Sequence, residues 1–312
     1  MIGFDLARIA ATYGGTVSGQ SVTIPTPGHS RRDRGTIITP MPGAPDGVLV
    51  ACYNGGQSEA LAVKDQLRRD GFLPERDGKR RELTQAERKA IDQQRREAEA
   101  DRERRHKQVA GRAQAMWRGA SPASPAHPYL KRKGLNPLGL RQCGSDLLVP
   151  LVDETLQLWN VQRIRPDGAK LFLKGGRVSG LFSPLHVWMA HGRPASGPVV
   201  IGEGWATTAA IHEATGLAVA TAFNSGNLAS VALALRHAFP SRLLIVAADW
   251  DGLGGGIGLA SARKAAEAAN ALLAIPVLPD ANPASLDAKT DFADISREQA
   301  KAFIRAVIEG GR

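Results

Sequence analysis

The chain has 312 residues, 43% of them hydrophobic, enough for one large domain or two to three smaller ones. Its formal net charge is +10 and its pI about 10.0, which favours a polyanionic partner: nucleic acid first, an anionic membrane surface second. Two cysteines, Cys52 and Cys143, are too few for a disulfide framework. No run of about 18 apolar residues is present to span a membrane, and MIGFDLARIA lacks the basic start and apolar core of a secretory signal. The expectation is a cytoplasmic protein with no membrane partner.

In chain order, composition divides the sequence into residues 1–75, 76–120, 121–195 and 196–312. The first part is rich in Gly and Pro, with a β-prone piece GVLVACY and a helix-like SEALAVKDQLRRDGF. The second holds LTQAERKAIDQQRREAEADRERRHKQVAGRAQAMW, full of good helix formers with charges at i,i+4 spacing. Thr84 and Glu87 make a capping-box pattern at its start. Its few apolar positions predict a mostly solvated linker helix, or a basic helix lying along nucleic acid.

GASPASPAHPYL forms a Pro/Ser/Ala connector. LLVPLVD, LQLWNVQRI and AKLFLKG then predict an antiparallel meander. From about Pro198, strands PVVIGEG, LAVATAF, RLLIVAAD and AIPVLP alternate with helices ATTAAIHEAT, NLASVALALRHAF and GLASARKAAEAANALL. That alternation predicts βαβ units and a parallel sheet, so the fold class is α/β, mixed α+β overall.

Three acidic features fall at or after predicted strand ends. Glu203 stands between two glycines after PVVIG. Asp249 and Asp251 follow LLIVAA, one residue apart and on the same side of an extended tip. Asp291 and Asp294 lie in KTDFADI. Open parallel sheets bind ligands at the carboxyl ends of their strands. Carboxylates converging there suit Mg²⁺ or Mn²⁺. Two such ions can activate a 3′-hydroxyl and stabilise a pyrophosphate leaving group.

VVIGEGWATTAAIHEATG, AVATAFNSGNLASVALALR, LLIVAADWDG and TDFADI together resemble the Toprim domain of plasmid- and phage-type primases, which are related to bacterial-type replicative primases. The resemblance implies a Toprim catalytic domain over residues 196–312. Glu203 is then the general acid/base and a metal ligand, Asp249 and Asp251 are the catalytic metal ligands, and Asp291 and Asp294 support them. Residues 121–195 look like the basic strand-rich subdomain of primases, which implies that Arg163, Arg165, Lys170 and Lys174 face template or nucleotide phosphates. Asn227, in the GNL motif, joins them as a nucleotide- or template-binding residue. Residues 1–75 resemble a zinc ribbon that has lost half its ligands: His29 and Cys52 remain, but Ile24 and Gly56 stand where cysteines are expected. Structural zinc needs four N or S ligands, so no zinc is expected. Further departures from the family pattern are Gly256 in place of an Asn after the Asp-x-Asp motif, and EGWATT in place of EGYATA.

The implied function is a DNA primase that makes short RNA on single-stranded DNA for plasmid, phage or mobile-element replication. Its implied partners are single-stranded DNA, ribonucleotides and a replicative helicase, because GLGGGIGLAS lacks the lysine of an ATP-motor loop. The alternatives are a Toprim-type nuclease and a non-catalytic, single-stranded-DNA-binding accessory protein. A topoisomerase needs a tyrosine nucleophile, and Tyr13, Tyr53 and Tyr129 all lie outside the Toprim-like part.

Overall fold

The computed structural model describes residues 4–26, 34–41, 43–44, 46–53, 57–74, 85–187, 189–190, 193–194, 196–250, 256–276 and 290–311. His29, Gly56, Thr84 and Asp251 lie outside the described residues. The chain forms two compact units, Met1–Glu99 and Ala100–Arg312.

The first unit contains α1 (Leu6–Tyr13), β1 (Thr16–Ser18), β2 (Ser21–Ile24), β3 (Thr36–Pro40), β4 (Val48–Cys52) and α2 (Gln57–Arg69). The strands pair antiparallel in the order β1-β2-β3-β4. Alternation turns Val22, Ile24, Ile38, Val48 and Val50 toward one face, where Ile9 of α1 and Val63 and Leu67 of α2 complete a core. Ile24 is part of that core and offers no ligand atom. Cys52 Sγ lies 3.4 Å from Thr36 Oγ1, which donates to Thr26 Oγ1 at 3.0 Å. This end of the sheet is held by apolar packing and a hydroxyl–thiol cluster.

The boundary between the units falls inside α3 (Gln85–Gly119). Most of this helix is exposed, as its charge pattern predicts, but Val109 and Ala113 pack with Val161 and Leu173.

The second unit opens with β5 (Ser121–Pro122), α4 (Pro128–Lys133), β6 (Arg141–Cys143), β7 (Asp146–Val152), β8 (Leu158–Ile164) and β9 (Lys170–Phe172). The five strands form an antiparallel meander in sequential order; β7, β8 and β9 are the predicted ones, and β5 and β6 extend it. Next come β10 (Ser183–Leu185) and the short ribbon β11 (Met189–Ala190) and β12 (Arg193–Pro194). After these, β13 (Val199–Gly202), α5 (Trp205–Thr215), β14 (Ala218–Thr221), α6 (Leu228–Ala238), β15 (Leu244–Ala247), α7 (Gly256–Ala268), β16 (Leu272–Ala274) and α8 (Arg297–Gly310) alternate.

The second sheet has the order β10-β14-β13-β15-β16, with β13 to β16 parallel and β10 antiparallel at one edge. Both its faces are buried. Val199, Ile201 and Val246 pack toward α6 and α7, whereas Val200, Ile245 and Ala247 pack toward α5 and α8. A third core joins the meander to α5: Leu147, Val149, Leu151 and Ile164 meet Trp205, Ala206 and Ala209.

One predicted boundary is corrected. Leu272 and Leu273, read as the end of a helix, belong to β16, and the strand begins earlier than AIPVLP. Asn270 turns left-handed (φ +46°), and Arg236 caps the freed carbonyls of Ala269 and Asn270 at 2.8 and 3.0 Å. That ends the helix before the two leucines.

Candidate active site

The site is built on the carboxyl ends of β13 and β15. These strands are parallel neighbours, and Gly202 is in register with Ala247. Glu203 therefore leaves β13 beside Ala248, and Asp249 follows one residue later on the adjacent strand. Both are half-buried, and Asp249 Oδ1 is shielded from solvent. The Glu203 carbonyl accepts the Phe223 N–H at 2.7 Å, which fixes the turn against the end of β14. Gly202 is required here: a Cβ would stand 2.8 Å from Thr208 Cγ2 of α5. Thr208 in turn shares a 2.6 Å hydrogen bond with Thr221, so it has no room to retreat.

The third acidic segment reaches the same rim through a two-residue bridge. Trp250 and Thr290 exchange backbone hydrogen bonds of 2.9 and 2.8 Å, which sets Asp291 beside the end of β15. Asp291 Oδ1 accepts the Ala293 N–H at 2.6 Å, and Asp294 Oδ2 accepts the Asp291 N–H at 3.3 Å. Burial pushes the Asp291 carboxyl above the usual range. The Ala293 N–H opposes this, Asp294 adds to it, and Lys133 and Lys170 oppose it. Burial also pushes the Tyr129 phenol up to about 12, with the Asp291 charge contributing.

The basic residues separate. In an antiparallel pair, partners in register share a face. Ile164 pairs with Lys170 and belongs to the core against α5, so Lys170 is on the side of the acidic rim. Its Nζ lies 3.8 Å from the point where a Cβ on Gly204 would stand. Arg163 pairs with Leu171 on the opposite face, where Nε and Nη2 grip Asp146 Oδ2 at 2.9 and 2.6 Å. Arg165 and Lys174 are exposed, on the β8–β9 turn and just beyond β9.

Asn227 is buried, and its amide is spent on backbone. Oδ1 accepts from Gly180 N–H at 2.8 Å, and Nδ2 donates to the carbonyls of Ala222, Leu181 and Val178 at 2.9, 2.9 and 3.3 Å. It clamps the glycine-rich loop after β9 onto the end of β14. Asn160 holds the same loop from β8: its Nδ2 donates to Arg177 O at 3.1 Å, and its Oδ1 accepts from Leu173 N–H at 3.3 Å. Phe223, at φ +74°, sets its ring edge-on to Phe172 of β9 at 5.8 Å.

Sequence reasoning singled out neither Asn160, Phe223 nor Lys133, whose Nζ lies 3.1 Å from Asp294 Oδ1. None of the three left a distinguishing signal; Lys133 is the last of three adjacent cations in PYLKRK.

Every acidic donor assigned to the rim is a carboxylate, the ligand type that hard divalent cations take. Among the described residues no group of three or more His, Cys, Asp or Glu is gathered closely enough to hold a metal ion, and Asp251 is not among them. The donor chemistry fits a divalent ion. No described helix is long and apolar enough to cross a membrane.

Residues 198–302 match the Toprim domain. The Toprim reading of the motifs is thus borne out. The chain is 37% identical over 155 residues to a DNA primase TraC of Escherichia coli, covering 48% of this chain and 14% of that protein. A second Escherichia coli DNA primase TraC is 33% identical over 193 residues, covering 59% of this chain and 13% of that one. The matched stretches thus span about a seventh of those relatives. The zinc-binding and RNA polymerase domains of the Aquifex aeolicus primase align with 99% of this chain and 83% of their own, at 11% identity and a TM-score of 0.42. The chain is homologous to the TraC primases over its matched part, and its fold is the mixed α/β class expected.

Proposed function

We propose that the protein is a DNA primase that copies single-stranded DNA into short RNA primers by metal-dependent nucleotidyl transfer. The observation that carries this reading is the meeting of Glu203 and Asp249, on adjacent parallel strand ends, with Lys170 from a separate sheet. Homology to the TraC primases supports it.

In this proposal Glu203, Asp249, Asp251, Asp291 and Asp294 hold Mg²⁺ or Mn²⁺. When bound, the ions supply charge neutralisation at the polyphosphate and acidify the 3′-hydroxyl. Glu203 takes the proton of that hydroxyl. The freed oxygen forms a bond to the α-phosphorus of the incoming ribonucleotide, and the bond to pyrophosphate breaks. Lys170, with the exposed Arg165 and Lys174, grips the phosphates from the opposite side. Arg163 and Asn227 serve the site by holding strand and loop in place. Residues 1–75 are proposed as a template-binding, ribbon-like region, 76–120 as a charged linker, 121–195 as the basic subdomain and 196–312 as the catalytic domain. A replicative helicase is the proposed partner.

The test is primer synthesis on single-stranded DNA with all four ribonucleotides and Mg²⁺ or Mn²⁺, beside Asp249→Ala. RNA from the wild type alone is the expected result. Template cleavage without RNA would establish a nuclease instead, and salt-sensitive binding with neither product an accessory protein.

A further inference from the structure

The helix α4 ends in three cations, and two of them are committed to different segments. Arg132 Nη1 donates to the Pro166 carbonyl at 3.1 Å, at the β8–β9 turn. Lys133 Nζ lies 3.1 Å from Asp294 Oδ1. The pair is reached by solvent at both ends, with side-chain exposures of 31% and 46%.

The carboxylate partners have little freedom left. Asp294 gives its second oxygen to the Asp291 N–H, and Asp291 gives one oxygen to the Ala293 N–H. The other Asp294 oxygen, Oδ1, is the one Lys133 covers. Lys170 also stands near enough to Asp291 to act on its charge. Two ammonium groups therefore act on the two carboxylates of this loop.

Lys133 is not what docks α4. Tyr129 and Leu130 are buried in the core shared with α5. Arg297 donates to the Gly134 carbonyl and to Glu213, both at 3.2 Å, and Asn136 donates to Glu213 through its backbone N–H at 2.8 Å and Nδ2 at 3.1 Å. These contacts hold the end of α4 whether or not residue 133 carries a charge.

An ammonium and a divalent cation repel strongly at contact distance and compete for the same oxygen lone pairs. We infer that Lys133 covers the Asp294 oxygen that a divalent cation would take, and is displaced when the cation binds. The Lys133–Asp294 pair thereby sets the ion concentration at which the site fills. This rests on the metal-dependent reading above and assigns to Lys133 a positioning role, not contact with substrate.

The experiment is Mn²⁺ binding to the full chain, followed by electron paramagnetic resonance of the free ion. It compares wild type, Asp249→Ala, Lys133→Arg and Lys133→Met, with Lys133→Gln as a second neutral variant. Circular dichroism checks that each is folded. The neutral variants should bind Mn²⁺ about fivefold more tightly at low salt, with the gap narrowing as salt rises. Lys133→Arg should remain near wild type. Asp249-dependent binding that is unchanged or weaker in a folded neutral variant would overturn the inference alone. Absence of Asp249-dependent binding in the wild type would overturn the metal-site reading and this inference with it.

Discussion

Asn227 Oδ1 accepts the Gly180 N–H at 2.8 Å, while its Nδ2 serves three carbonyls. One buried amide thus ties the loop after the meander to the parallel sheet. Asn227→Ala would strand one donor and several acceptors in a dry setting, at about 2–4 kcal/mol for the set. Asn227→Asp should be at least as damaging, because it sets an acceptor against carbonyls. Urea unfolding measures both.

Gly202 and Thr208 are in close contact across β13 and α5. Gly202→Ala should cost about 1–3 kcal/mol through overpacking. Thr208→Ser removes the obstructing methyl and keeps the hydroxyl for Thr221, so the double variant should recover most of the loss. Thermal unfolding of the four proteins completes the cycle.

Lys170 and Arg163 should fail in different ways. Lys170→Ala is expected to raise the nucleotide KM about tenfold or more with little change in stability. Arg163→Ala leaves the buried Asp146 without its guanidinium and should destabilise the fold by about 2 kcal/mol. Its primer synthesis per folded molecule should change less. Steady-state kinetics beside denaturant titration separates the two.

Asp153 gives a pH signature. Burial works to raise its pKa, but hydrogen bonds from the Thr155 hydroxyl, the Trp159 indole, and the Gln157 and Thr155 N–H groups outweigh it, and the carboxyl is held below its usual range. A depressed pKa contributes stability that is present above the unfolded value, about 3.9, and lost as pH falls through the folded value. Asp153→Asn should melt lower than wild type at pH 7, and the gap should close on acidification below about pH 4. A gap independent of pH would assign the effect to geometry rather than charge.

Much of this architecture was legible because local pattern and tertiary demand agree. The short apolar runs of 147–164, set off by polar turns, and the βα alternation after Pro198 each suit their surroundings. Glu203 and Asp249 sit at strand ends because the apolar runs before them stop there. What escaped depends on partners distant in sequence. Lys133 meets Asp294 across 161 positions, and nothing in PYLKRK distinguishes that lysine from a solvated one. Phe223 adopts a left-handed φ that its residue type does not announce. β10 has only three residues, one of them Pro, too short to show a period.

That edge strand has a practical bearing. β10 lies upstream of β13, yet it closes the outer side of β14. Pro184 has no N–H, so the margin it presents is a poor template for another molecule's backbone. A fragment cut at Pro198 would lose this cover and leave β14 with bare carbonyls and amides, inviting self-association. Expression of the Toprim part alone calls for a start point upstream of Leu181.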